Sequence, residues 1–92
     1  MSLKITENNS TYYLKGAISK STVKFFVDYF KSKLSKKQKV VLNIDKTKYI
    51  DKLGLNALKN ILKKGKQKRK DVFIIGNGCK EIYDDMYQTE AI

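Results

Sequence analysis

Residues 40–62, VVLNIDKTKYIDKLGLNALKNIL, constrain what this chain can become more than any other stretch. Val40, Val41, Leu42 and Ile44 form an apolar run that ends at Asn43 and Asp45. A short apolar run of this kind, bounded by polar residues, reads as a buried strand. Tyr49 and Ile50 follow in a short loop. Asp51-Lys52-Leu53-Gly54-Leu55 then opens a helix in which Leu55, Leu58, Ile61 and Leu62 form a buried stripe. A buried strand, a tight loop and a helix packing back on the sheet make the core of an α/β unit.

The flanking sequence supplies the rest of such a sheet. Leu3-Lys4-Ile5-Thr6-Glu7 alternates apolar and polar, as a half-buried strand does. Asn8-Asn9-Ser10 is a turn cluster, Thr11-Tyr12-Tyr13-Leu14-Lys15 resumes the strand character, and Gly16 is expected to end it. These two strands predict an antiparallel hairpin. Ser19 or Ser21 is placed to cap a helix running to about Leu34, with Val23, Phe26, Val27, Phe30 and Leu34 on one stripe. Phe25 and Tyr29 flank that stripe and are expected to pack against a neighbouring element.

The second helix should run to Lys66, with Gly65 marking fraying near its end. A basic linker, KQKRK, leads to the last buried strand at 71–75. Gly76-Asn77-Gly78 is a turn. Cys79 starts a short helix to about Tyr87, with Ile82, Tyr83 and Met86 available to the core, and 88–92 is expected to fray. The order is β-β-α-β-α-β-α in a single domain over 1–92. The fold class is α/β, a small mixed sheet with helices packed on it. Its crossovers are right-handed, and its first strand is antiparallel to its second.

Charge raises the question of partners. The net charge is +11, nearly all of it lysine. Nucleic-acid binding, attraction to an acidic protein or membrane surface, and general solubility all predict an excess of this sign. The lysines are spread along the whole chain and Arg69 is the only arginine. That favours solubility over a dedicated nucleic-acid binder, which clusters its charge and reads bases with arginine.

Several classes of chemistry lose their residues. Histidine is absent, which removes the histidine general base and the imidazole ligand. Cys79 is the only cysteine, so there is no internal disulfide, in keeping with a reducing compartment. Gly76-Asn77-Gly78 lacks the spacing of the nucleotide fingerprints. Glu81, Asp84 and Asp85 read as a solvated face suited to a helix start, not as metal ligands. No nucleophile–base pair stands out, so no catalytic residue, metal or cofactor is assigned and an enzyme is not expected. The N-terminus has no apolar stretch of signal-peptide length and no window approaches membrane-spanning length, which predicts a cytoplasmic protein.

In an open α/β sheet, partners gather beyond the carboxyl ends of the parallel strands. Three loops reach that rim here: 16–20, 46–54 and 76–80. Lys20, Lys46, Lys48, Lys52 and Lys80 add positive charge beside the helix starts, where an anion or acidic partner is favoured. Asp51 sits where α-helices take a cap, with the amides of Leu53 and Gly54 as donors. Gly54 serves either close packing or a φ that other residues resist.

At these residues the chain resembles the STAS domain, the fold of bacterial anti-sigma-factor antagonists. The likeness runs from Leu3 to about Met86. Its markers are Leu14-Lys15-Gly16, the strand over 40–45, Tyr49-Ile50-Asp51 with Gly54-Leu55, and the strand over 72–76 before the last helix. The resemblance implies a non-enzymatic module that binds another protein. In the sigma-regulating branch the partner is an anti-sigma factor with a serine-kinase fold, which phosphorylates a serine or threonine in the loop that here reads Asp51-Lys52-Leu53-Gly54. Charge added there breaks the complex. The phosphoacceptor position maps to Leu53 and the neighbouring hydroxyl position to Lys52, and neither can be phosphorylated by a serine kinase. Ser19, Ser21 and Thr47 are the hydroxyls in the rim loops. The partner surface is therefore expected at Lys46, Lys48, Asp51, Lys52, Leu53, Gly54, Leu55 and Lys59. Some STAS domains instead act as subunits of ABC-type complexes that move lipids. That role and a basic nucleic-acid-binding protein are the alternatives.

Overall fold

The computed structural model describes residues 2–82 and Asp84. The elements are β1 Leu3–Asn8, β2 Thr11–Ile18, α1 Val23–Lys36, β3 Lys39–Asn43, β4 Thr47–Ile50, α2 Lys52–Gln67 and β5 Asp71–Ile75. The chain is helical again at 80–82 and Asp84. The expected core roles of Tyr83 and Met86, and the tail over 88–92, lie outside the described residues.

The strands form one mixed sheet in the order β1-β2-β3-β5. β1 and β2 are the predicted antiparallel hairpin, closed by a turn in which Asn9 takes φ 59, a conformation asparagine tolerates. β3 is parallel to both β2 and β5.

One segment departs from the sequence expectation. Residues 47–50, read as loop, are the strand β4. It pairs in parallel with the second half of β2, matching Gly16 to Thr47, Ala17 to Tyr49 and Ile18 to Ile50. Thr47 and Ile50 are buried, and the Thr47 hydroxyl donates to the Leu14 carbonyl at 2.8 Å. Lys48 and Tyr49 are exposed side by side, which hides the alternation that marks a strand. β3 and β4 are thus successive segments along one long strand, β2. The pairing slips between Gly16 and Ala17, and Gly16 has φ +117, which glycine adopts without steric cost. The extra residue at this bulge is Lys48 in β4, and Gly16 lies inside β2, not at its end.

Both helices belong to one buried cluster on one face of the sheet. Tyr12, Leu14, Val40, Leu42 and Ile44 pack there with Phe26, Phe30 and Leu34 of α1 and Ala57, Leu58 and Ile61 of α2. Each fully buried large side chain contributes about 2 kcal/mol of apolar transfer. Alternate strand residues, among them Lys4, Tyr13, Lys15, Asn43 and Phe73, stand on the other face.

The helix ends correct two local expectations. Neither Ser19 nor Ser21 supplies a side-chain cap for α1; Thr22 is the capping position, and its hydroxyl turns inward to the Ala17 carbonyl at 2.8 Å. α2 does not fray at Gly65, because that residue is buried and a Cβ there would overlap the Val72 side chain. The helix ends at Gln67 with Lys68 as its C-cap, and Arg69 follows with φ 57: Lys70 N–H donates to the Gly65 carbonyl at 2.8 Å and Arg69 N–H to the Lys66 carbonyl at 3.1 Å. Of the two flanking aromatics, Tyr29 packs edge-on against Tyr12 at 6.0 Å, whereas Phe25 remains 50% exposed.

Candidate functional site

The carboxyl ends of β2 and β4 lie level and bring the loop after Ile18 to the start of α2, while the loop after β5 meets the β3–β4 connection at Asp45. Asp51 makes the first of these joins. Its Oδ1 accepts from the Gly54 amide at 2.8 Å and caps α2. Its Oδ2 accepts from the Lys20 amide, also at 2.8 Å, and ties the β2–α1 loop to the start of α2. The amide of Gly54, then that of Lys20, hold the Asp51 carboxyl below its ordinary value.

Gly54 explains how close the helix comes. A Cβ there would fall on the Ile18 carbonyl oxygen, and its φ is not positive. Of the two explanations for this glycine, close packing is the one that holds. Leu55 is half-buried and packs against the core.

What remains outward is a small apolar spot with basic neighbours. Leu53 is 51% exposed in the first turn of α2, and Tyr49 is 40% exposed on β4. Lys48, Lys52 and Lys59 are exposed as well. A shallow hollow of about 480 Å³ lies beside them, lined by Ser19, Lys20, Ser21, Tyr49 and Asp51. Lys46 lies apart from this group, in a groove on the open sheet face with Tyr13 and Lys15. A larger concavity, about 660 Å³, is elsewhere too, between α2 and β5.

A second carboxylate, which sequence reasoning used only as a strand boundary, stitches the rest of the rim. Asp45 Oδ1 accepts from the Asn77 amide at 3.0 Å, and the Asp45 amide donates to Asn43 Oδ1 at 3.0 Å. The Asn-x-Asp spacing favours the local bond between Asn43 and Asp45, but it gives no signal of the reach to Asn77.

The three rim hydroxyls differ in access. Thr47 is 1% exposed and bonded to Leu14, so it is closed to a kinase. Ser19 is buried, and Ser21 is exposed with its Oγ 3.2 Å from that of Ser19. Cys79 is half-buried, and burial pushes its thiol up. Among the described residues there is no cluster of three or more His, Cys, Asp or Glu able to hold a metal, and no helix long and apolar enough to cross a membrane.

Comparison with solved structures places this architecture. The chain is similar to the anti-sigma factor antagonist SpoIIAA in its unphosphorylated form, with TM-score 0.62 and 8% identity over 79% of this chain and 71% of that one. It is also similar to the STAS domain of an antisigma-factor antagonist from Rhodobacter sphaeroides, with TM-score 0.65 and 18% identity over 88% of this chain and 92% of that one. A third similar structure, Mglu, has TM-score 0.63 and 16% identity over 77% of this chain, but the chain spans only 18% of Mglu. At these identities the likeness is one of fold. No curated protein matches the sequence. The model of the STAS domain family matches residues 1–89. With that match across nearly its whole length, and with neighbours of the same architecture, the chain belongs to the STAS domain family.

Proposed function

We propose that this STAS domain is a non-enzymatic protein-binding module akin to an anti-sigma-factor antagonist, and that its partner docks on the rim around Lys48, Asp51, Lys52, Leu53 and Lys59. The carrying observation is Leu53, a leucine 51% exposed in the first turn of a helix whose start is held by Asp51 and Gly54. An apolar anchor on a rigid element with charged residues at its edge is the usual anatomy of a protein interface. The lysines favour a partner that is acidic around an apolar centre. Asp51 is engaged by two backbone amides and holds the loops together, which is a positioning role.

Lys52 and Leu53 carry no hydroxyl, so the complex forms without phosphate control at this loop. The test is affinity purification from the native cell with the wild type and Leu53→Asp side by side. A protein partner should be held by the wild type and lost by the variant, and mass spectrometry of the bound domain should find residues 52 and 53 unmodified. Equal retention of every partner by both proteins would remove the rim from the account.

A further inference from the structure

The lysines that look scattered along the sequence meet on the open face of the sheet. Lys4 and Lys15 are direct cross-strand partners in the β1–β2 hairpin. Lys46 joins them, because the Gly16 amide donates to its carbonyl at 3.0 Å. With Thr6, Tyr13, Leu14 and Asn43, these lysines line a groove of about 250 Å³, and no carboxylate is among the lining residues. Like charges placed directly opposite across an antiparallel pair destabilise it. The fold therefore gains nothing from this arrangement, whereas an anion between the lysines would relieve it.

Aromatic rings stand on the same face. Tyr13 is 42% exposed, and in register it faces Asn43, which faces Ile75. Phe73, two residues back along β5, is 51% exposed and faces Val41. Exposed rings on a bare sheet, with lysines grouped at one end, suit a ligand that combines flat apolar rings with regularly spaced negative charge. We propose that this face binds single-stranded nucleic acid, with Tyr13 and Phe73 as stacking platforms and Lys4, Lys15 and Lys46 on the phosphates.

A second copy of this chain would set the lysine cluster against another +11 surface. An acidic protein segment would satisfy the lysines and leave the rings without a purpose. A duplex keeps its bases stacked and out of reach of separate platforms. With lysine in place of arginine, binding should tolerate any sequence.

Fluorescence anisotropy of a short, labelled, mixed-sequence single strand tests the proposal on the full chain. Three phosphate contacts predict a log–log salt slope of about −2. Tyr13→Ala should weaken binding roughly tenfold, and Tyr13→Phe should restore it. Lys15→Glu with Lys46→Glu should weaken it by at least roughly tenfold, while the charge-matched pair Lys31→Glu with Lys64→Glu, exposed on the helices that cover the opposite face, should change it no more than about twofold. Thermal melts confirm that each variant folds. Equal losses in the two charge-matched pairs would reduce the effect to diffuse attraction and overturn the site. So would no binding by the wild type at physiological salt, or competition by polyglutamate that is as strong against Tyr13→Ala as against the wild type.

Discussion

The two helices start on the same rim and are fixed there in opposite ways. α1 begins at Thr22, which is 7% exposed; its hydroxyl donates inward to the Ala17 carbonyl and accepts from the Ser19 amide at 2.9 Å. α2 begins at Asp51, whose two oxygens are taken by the amides of Gly54 and Lys20. Gly54, buried on the Ile18 carbonyl, then lets the helix close onto the sheet. Between these two fixed points Lys52 and Leu53 carry no structural duty and both face out. α1 also shows an apolar side chain at its start, but Phe25 has the Tyr29 ring beside it at 6.0 Å. The first helix start is a joint. The second is a joint that also displays two free positions.

Mutations can break that contrast, beginning with the glycine. Gly54→Val drives side-chain atoms into the Ile18 carbonyl and the Ile50 side chain, and should cost about 3 kcal/mol. For a chain of this size the melting temperature then falls by roughly 15 °C in a calorimetric scan. Thr22→Val keeps the shape but leaves the Ser19 amide and the Ala17 carbonyl unpaired in the interior. A loss of about 2 kcal/mol in urea titration is expected.

Asp51 sharpens the comparison through pH. Its folded carboxyl titrates below the ordinary aspartate value because the Gly54 and Lys20 amides hold the charged form. The stabilisation is therefore present above about pH 4, the unfolded value, and is lost as pH falls through the lower folded value. Asp51→Asn retains one acceptor and removes the charge. Its melting temperature should lie below that of the wild type at pH 7, and the two should converge as pH falls below about 4 and through the lower folded value. The smallest effect on stability belongs to Leu53→Asp. It should stay within about 0.5 kcal/mol of the wild type, since the side chain is half in solvent and an acid in the first helical turn suits the dipole.

How much of this was legible in the sequence follows from the same physics. The order of strands and helices was readable because Leu3 and Ile5 alternate, and because Phe26, Phe30 and Leu34 recur at helical spacing. Asp51 as a cap was readable for the same local reason. β4 was hidden, because its extra residue, Lys48, bulges against β2 and leaves two neighbouring residues, Lys48 and Tyr49, exposed. Gly65 was misread as an end signal because its partner, Val72, is distant in local pattern and close only after the crossover. The second bond of Asp51 and the role of Asp45 join residues more than thirty positions apart, which no local pattern encodes. The lysine cluster was invisible for the same reason: Lys4, Lys15 and Lys46 become neighbours only through strand register.

The most direct test of the rim is a hydrogen-exchange footprint of the domain bound to the partner captured by affinity purification. The account predicts new protection in the first turns of α2, in β4 and in the loop around Lys20, with the outer edge of β5 and the open sheet face unchanged. Protection confined to the β5–α2 groove or the open face, with the α2 start exchanging as it does in the free protein, would contradict it.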